Sequence, residues 1–542
     1  MKKRLFSILA IMLVVVLAFF AFTACNKTLD TASAANAGLS FEIILTLFTA
    51  FLFVFVYYTL SKLYARKDVF VNFDGSASNE KAESLTYTKK NAQQGAKSKS
   101  GAFFKNTLVI LAGILLLTLL VRLILILTTY GVGAKTTSML AYASVLKEQG
   151  IANFVEYYSG AVIQSPGTLY ILNIIGAAGL SEESASILLR FVNVLADMVT
   201  VALVYLYGKK YVGNKISALF ACAYSVLPVA MYFGGMHFAF ESVLVALLLG
   251  AVIMLVEKKF LTTYLLTSLA VVLDVRAMLL VPIALTYMGY MYYRDAQSLR
   301  RFTPNRAKII FGLIGMFALV YVLTLPVAIH QIAAGDAFFN FKYMASKIMS
   351  SSSFVDNAFN LYAMVGMNGK TFTNSAVTYL NVAFVVVLEV FAASMYFKNR
   401  NRQEILLLVS FVFAVTAVFT LKTDWTYLFL AIVFALVYAM VSGEKRAYIV
   451  VGGYSTLAFL NVAQLLYTSG MFANDKTSYL YGFESKDAFL ITFSVFTVLL
   501  TAYFVYVVYS ITTNGKIVDI KGVEGSFKDR VKHLFSRKKE AK

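Results

Sequence analysis

Three polar residues, Arg190, Asn193 and Asp197, stand at i, i+3 and i+7 inside an apolar run. On a helix they share one face. An ionisable side chain at such depth is costly in lipid, so it turns to the bundle interior and to a partner. Arg190 suits a phosphate group, and the deeper Asp197 suits an ion pair with Arg122. Buried charges that only fix helix packing are the other reading, and it stays open. A second set lies in "SSSFVDNAFNLYAMVGMNGK", Ser351 to Lys370, where Asn357 and Asn360 bracket an aromatic residue. Amides both donate and accept, so the pair suits a polar ligand beneath a loop lid. Serines before it and glycines after it let such a lid move. Helix capping by Asn357, with Asn360 one turn on, is the alternative. Glu156, Glu148 and Glu241 are the acids near apolar segment ends able to take a proton, and each also reads as a solvated interfacial acid. Glu389 is a further buried acid without a role.

The elements that position these residues are membrane helices. The 542 residues are 59% hydrophobic and 14% charged, with a mean hydropathy of +0.73. Apolar runs recur along the chain, most of them long enough to cross a hydrocarbon core of ~30 Å. Backbone polar groups find no water there, so the runs must be helices. The expected spans are 5–24, 41–61, 106–130, 185–208, 215–233, 238–256, 260–273, 277–293, 307–330, 376–397, 404–421, 425–442, 447–468 and 487–511. This is an all-α polytopic membrane protein of 13–14 transmembrane helices. Pro228, Pro282 and Pro326 fall in or near span ends, where a lost hydrogen bond costs least.

Charge gives the orientation. With the N-terminus inside, one side collects 36 of the 48 Lys and Arg residues and the other 10. Such asymmetry marks the cytoplasmic side. The net charge of +20 is therefore a topology signal that needs no nucleic-acid partner. A multi-pass protein of the plasma membrane follows, with both termini cytoplasmic if the N-terminal segment is not cleaved.

Five regions result: 1–62, a signal anchor or lipoprotein-like signal plus one span; 63–105, a disordered basic linker; 106–442, the transmembrane core; 443–511, additional spans; and 512–542, a basic tail. The start, "MKKRLFSILAIMLVVVLAFFAFTAC", has the layout of a signal peptide. Its "FTAC" resembles a lipoprotein cleavage motif, which would leave Cys25 lipidated and thirteen spans. The tail places Phe527, Val531, Leu534 and Phe535 at helical spacing among basic residues. That pattern suits either a lipid surface or water. Cys222 is a small apolar filler, and two cysteines supply neither disulfide framework nor metal cluster.

Two non-cytoplasmic loops are large, 131–184 and 331–375, and loops of this length are usually functional. The first reads as two interfacial helices. "TTSMLAYASVLKEQG" ends at Gly150, and "SPGTLYILNIIGAAGL" opens with Ser165 as cap and Pro166 at the first position.

Residues 106 to 442 resemble the GT-C class of polyprenyl-phosphate-dependent glycosyltransferases, nearest to bacterial membrane mannosyltransferase-like proteins. "YYSGAVIQSPGTLYIL" is similar to the family's Tyr-Pro-Pro-Leu-Tyr segment, with Ser165 for the first proline. "ILLRFVNVLADMVTVALVYLYGKK" resembles its Lys-x-x-Asn-x-x-x-Asp helix, which supplies Arg190, Asn193 and Asp197. "LPVAMYFGGMHFAFES" resembles its Pro-then-Trp-Gly-Gln-x-Asp-Ser element. "VRAMLLVPI" resembles the proline-ended helix that follows, and "DNAFNLY" its Asn-Ala-Phe-Asn-Leu-Trp loop. Departures accompany the likeness. The aspartate that opens the family's first outer loop is absent from "GVGAKTTS", the glutamine is Ala239, and "LKTDWTYLF" shares only Tyr427 with a Met-His-Glu-Arg-Tyr motif.

The resemblance implies a membrane glycosyltransferase. It would move a mannose-like sugar from a polyprenyl-phosphate donor to an envelope glycan, lipid or protein on the outer face. A carboxylate would take the acceptor proton, and cations or amides would steady the leaving phosphate. Glu241, at the place of a family acid, and Glu156 are the candidate bases. Asn357, Asn360, Arg190, Asn193 and Asp197 are the candidate substrate contacts. No dedicated metal cage is expected, although a loosely held divalent cation fits the chemistry. A transporter or flippase of lipid-linked sugars, and an inactive relative serving as a partner subunit, are the competing readings.

Overall fold

A computed structural model describes Val54 and residues 107–129, 133–158, 164–298, 304–350, 353–372, 375–468 and 483–514. The expected spans 5–24 and 41–61, Cys25, the linker and nearly all of the tail lie outside these residues. The described chain is mostly helical, and its strands are one pair of two residues each. Seven helices are long and apolar enough to cross a membrane, and five more are apolar but shorter. This is compatible with an all-α multi-pass membrane protein.

Helix α1 (Thr107–Thr128) packs along α4 (Glu182–Ser225), and between them the chain forms α2 (Gly133–Tyr157) and α3 (Pro166–Ala177). Gly150, expected to end the first loop helix, only breaks it: its φ of 74° and ψ of 169° kink α2, and helix resumes to Tyr157. At Ser165 the backbone is extended ahead of Pro166, as expected, but its side chain makes no capping bond. Two close approaches seat α3. A Cβ on Gly176 would lie 2.2 Å from the Ala143 carbonyl oxygen, and one on Gly167 would lie 2.7 Å from Leu273 Cα. Only glycine allows these contacts.

Helix α4 begins where Ser181 accepts from Ser184 N, with Glu182 and Glu183 at the positive end of the helix dipole. Its 44 residues are two helices merged across Gly213, at φ 76°. The expected span 215–233 is likewise divided. Its helix ends at Ser225, and Pro228 opens the short α5 (Pro228–Gly235), since proline cannot continue the ladder. Then come α6 (Glu241–Val256), α7 (Phe260–Leu273), a 3₁₀ turn at Val275–Leu279, α8 (Leu280–Ser298), α9 (Pro304–Ala333) and α10 (Phe339–Ser350). Strand β1 (Val355–Asp356) and the single turn α11 (Leu361–Met364) follow, then α12 (Ser375–Asn399), α13 (Glu404–Phe419), β2 (Thr423–Asp424), α14 (Tyr427–Ser442), α15 (Lys445–Thr468) and α16 (Ala488–Asn514).

Helices α13 and α14 are buried on nearly every side and form the centre. Helices that are apolar all round belong there. By contrast α9, α12 and α16 turn large apolar side chains outward, among them Phe311, Leu380, Val387 and Leu499. That pattern suits lipid contact and needs no protein partner.

The connections sort into two ends. At one end, Lys210 pairs with Glu257 at 3.1 Å, Lys209 reaches Thr107, and Arg446 pairs with Glu444 at 2.9 Å. This basic end carries the short Lys- and Arg-rich turns. At the other, the loop end, β1 pairs in parallel with β2, Val355 opposite Thr423 and Asp356 opposite Asp424. Tyr343 Oη donates to Gln164 O at 2.9 Å and accepts from Gln164 N at 3.1 Å, fastening the second long loop to the first. Burial raises the Tyr343 phenol to about 12.

Beneath the loop end lies a fully buried ion pair. Arg122 Nε donates to Asp197 Oδ2 at 3.0 Å, Nη2 lies 2.9 Å from the same oxygen, and Nη1 donates to Ser225 O. Tyr224 Oη donates to Asp197 Oδ1 at 2.9 Å. The pair therefore ties α1 to both halves of α4. Gly234 of α5 closes it from above, because a Cβ there would sit 2.1 Å from Asp197 Oδ2. Breaking a buried pair costs ~3–5 kcal/mol. Gly234→Ala should accordingly lower the thermal midpoint in detergent by the equivalent of ~2–4 kcal/mol. Gly113→Ala, whose Cβ meets nothing within 4 Å, should be neutral or slightly stabilising. Equal midpoints for the two variants would contradict this packing.

Candidate functional site at the loop end

Polar side chains from three separate turns meet at the loop end of the bundle. The first turn joins α5 to α6. Asn193 holds it, donating from Nδ2 to Ala239 O at 2.9 Å and to His237 O at 3.3 Å. His237 is buried. Its Nδ1 lies 3.3 Å from Tyr232 Oη, and its Nε2 lies 3.1 Å from Glu241 Oε2. The imidazole thus stands between a tyrosine hydroxyl and a carboxylate, and its Nε2 approaches Glu241 at ion-pair distance without closing a hydrogen bond. Trp425 stacks on Phe233 and meets the His237 ring edge-on, so the imidazole is walled by aromatics.

The second turn joins α7 to α8. Asp274 Oδ1 accepts from Arg276 N at 2.8 Å and so caps the 3₁₀ turn. Its Oδ2 accepts from Arg276 Nη2 at 2.9 Å. The same Nη2 lies 3.4 Å from Glu241 Oε1, and Nη1 donates to Thr426 Oγ1 at 2.6 Å. The guanidinium also lies over the Tyr427 ring, 4.9 Å from its centroid. In the third turn, Asp424 Oδ1 accepts from Thr426 N at 2.9 Å and from Thr426 Oγ1 at 2.5 Å. Three carboxylates, Glu241, Asp274 and Asp424, thus surround one guanidinium in apolar surroundings. A small recess lined by Gln164, Ser165, Pro166, Val271, Val275, Tyr343 and Met344 adjoins the Asp274 turn and lies between the two long loops.

Of the sequence candidates, Glu241 lies in this cluster with both oxygens approached by cationic or imidazole nitrogens. Asn193 supports it from below. Arg190 sits apart from it. Its Nη1 donates to Thr129 O at 2.8 Å, so it caps the last carbonyls of α1 and stacks near Phe238. Asp197 belongs to the buried pair with Arg122. Glu156 is exposed near the end of α2, and Glu148 is exposed on the same helix, so neither enters the cluster.

Both loop asparagines spend their amides within the protein. Asn360 Oδ1 accepts from Ala363 N at 2.9 Å, capping α11, and Nδ2 donates to Thr423 Oγ1 at 2.9 Å. Asn357, at a φ of 55°, accepts from Phe483 N at 2.8 Å, and Nδ2 donates to Asp356 Oδ1. Capping is thus carried by Asn360, whereas the sequence alternative had assigned it to Asn357. The pair holds the 353–372 loop against β2 and the start of the last helical segment, which places Asp424 beside it. Lys422 of the same turn lies over the Phe372 ring, and burial lowers its ammonium below the usual lysine value.

His237, Asp274, Arg276 and Asp424 escaped the sequence reading. Each is a polar residue in a turn of a few residues between apolar runs. "LDVR" and "KTDWT" are the signals that mark them.

Asn360→Ala removes the α11 cap and the tie to Thr423. It should cost ~1–2 kcal/mol of stability and expose the 353–372 loop to protease. Asn360→Asp, which keeps the cap, should lose less. Unchanged stability and protection in Asn360→Ala would return the residue to a substrate role.

No protein-family model matches the chain, and none of the curated proteins matches it.

Proposed function

We propose that the protein is a GT-C-type glycosyltransferase working at the outer membrane face. It moves a mannose-like sugar from a polyprenyl-phosphate donor to a cell-envelope acceptor. The single observation that carries this reading is the cluster of Glu241, Asp274, Arg276, Asp424 and His237, gathered from three turns at the loop end of an apolar bundle. Such charges are costly in these surroundings and are retained where chemistry uses them. The charge asymmetry of the sequence supports an outer position for this end, where a lipid-linked donor and an envelope acceptor would meet.

In the reaction, an acceptor hydroxyl oxygen bonds to the anomeric carbon, and the bond from that carbon to the phosphate oxygen breaks. Polyprenyl phosphate leaves, and the hydroxyl proton passes to a carboxylate. Arg276 supplies positive charge toward the departing phosphate. Among the three acids, Glu241 is held by His237 and Arg276, and Asp274 is spent on Arg276. Asp424 Oδ2 makes no hydrogen bond among the described residues, so Asp424 takes the proton and Glu241 positions the guanidinium. Glu156, exposed on the first loop and outside the cluster, takes no part.

Purified protein with radiolabelled polyprenyl-phosphate sugars should transfer label to envelope acceptors. Asp424→Asn should lower turnover at least ~10²-fold with donor binding retained. Glu241→Gln should lose less, and Glu156→Gln should match the wild type. A wild type that binds donor and never transfers sugar would favour a non-catalytic partner subunit. A wild type that binds no donor would refute the assignment.

A further inference from the structure

At the basic end, far from the carboxylate cluster, several buried polar atoms lack a hydrogen-bonding partner. Tyr207, Tyr287 and Tyr396 are each 2% exposed, and all three hydroxyls are unpaired. The Tyr211 hydroxyl approaches that of Tyr207 without closing a bond, being given to Glu257 Oε1 at 3.2 Å. Glu404, also 2% exposed, leaves Oε2 unpaired.

These groups come from four helices and stand together. The Tyr287 and Tyr396 rings meet edge to face at 5.9 Å. Glu404 and Arg294 act electrostatically on Tyr396, and Arg402 on Tyr207 and Tyr287. Arg402 forms no ion pair among the described residues. The other nearby acid, Glu257, is held by Lys210 and Tyr211. A buried hydroxyl without a partner costs ~1–3 kcal/mol. Several beside Arg402 are a set of donors lacking their acceptor.

We propose that this cluster binds a phosphate ester that also carries free hydroxyls. Arg402 and the tyrosine hydroxyls donate to the phosphate oxygens, and Glu404 Oε2 accepts from a ligand hydroxyl. The mixture of donors and one acceptor selects this class over a bare phosphate, which has no hydroxyl for Glu404. Two sources share the chemistry. One is the phosphoglycerol headgroup of an inner-leaflet lipid, and the other is a soluble glycerol phosphate. The site is independent of glycosyl transfer.

The test uses full-length protein in nanodiscs of phosphatidylglycerol or of phosphatidylcholine, with retained lipid read by native mass spectrometry after detergent release. Thermal shifts with glycerol 3-phosphate and with inorganic phosphate run in parallel. The wild type should keep phosphatidylglycerol, or be stabilised by glycerol 3-phosphate more than by phosphate. The first outcome assigns a lipid and the second a soluble ester. Arg402→Gln should weaken that binding at least about tenfold. The double variant Tyr287→Phe/Tyr396→Phe guards against misfolding. It should lose binding similarly while the ligand-free protein keeps or gains stability, because it removes two unpaired hydroxyls. Equal retention of both lipids by wild type and variants, with no shift from either phosphate, would overturn the proposal and leave water as the occupant.

Discussion

The loop end depends on one guanidinium. Arg276 lies in a turn between two apolar helices, where an unpaired cation would be costly, and its charge is met by residues far away in sequence. Asp274 comes from its own turn, Glu241 from the start of α6, and Thr426 and the Tyr427 ring from the start of α14. A planar fork with donors on several edges can hold these partners together. A lysine ammonium offers no such fork. Because α6 and α14 are both core helices, the same contacts fix the bundle and the polar cluster at its end.

A second charge pair works beneath it by the same logic. Arg122 and Asp197 neutralise one another at no exposure, and Tyr224 and the Ser225 carbonyl take up further bonding capacity. The arrangement leaves no room above Asp197 for any residue larger than Gly234. The turn that carries His237 follows directly from that glycine, so packing around the deep pair sets where the imidazole stands. The depth of one pair and the position of the other are thus linked through three residues of backbone.

Much of this was legible in the sequence. Apolar run length gave most of the helices. Of the three ionisable residues in the spans 106–130 and 185–208, Arg122, Arg190 and Asp197, the expected ion pair of Arg122 with Asp197 is the one found. Ser165-Pro166 marked a helix start correctly. Other features depended on tertiary contact. Nothing local distinguishes an asparagine that caps a helix from one that meets a ligand, and Asn360 became intelligible only once Ala363 and Thr423 were beside it. Arg276 and Asp424 are 148 positions apart and share a site only because α7 and α13 end at the same level. The break at Gly213 falls in the interval expected between the spans 185–208 and 215–233, whereas the division of the second span ahead of Pro228 lay inside a single expected run.

The most direct measurement is photocrosslinking with a polyprenyl-phosphate sugar that carries a diazirine beside the phosphate, mapped by peptide mass spectrometry. A donor seated at the loop end should label the segments 232–241, 274–280 and 422–427, and unlabelled donor should suppress it. Label confined to the basic end, or spread along the lipid-facing helices α9, α12 and α16 and insensitive to competitor, would contradict a donor site around Arg276.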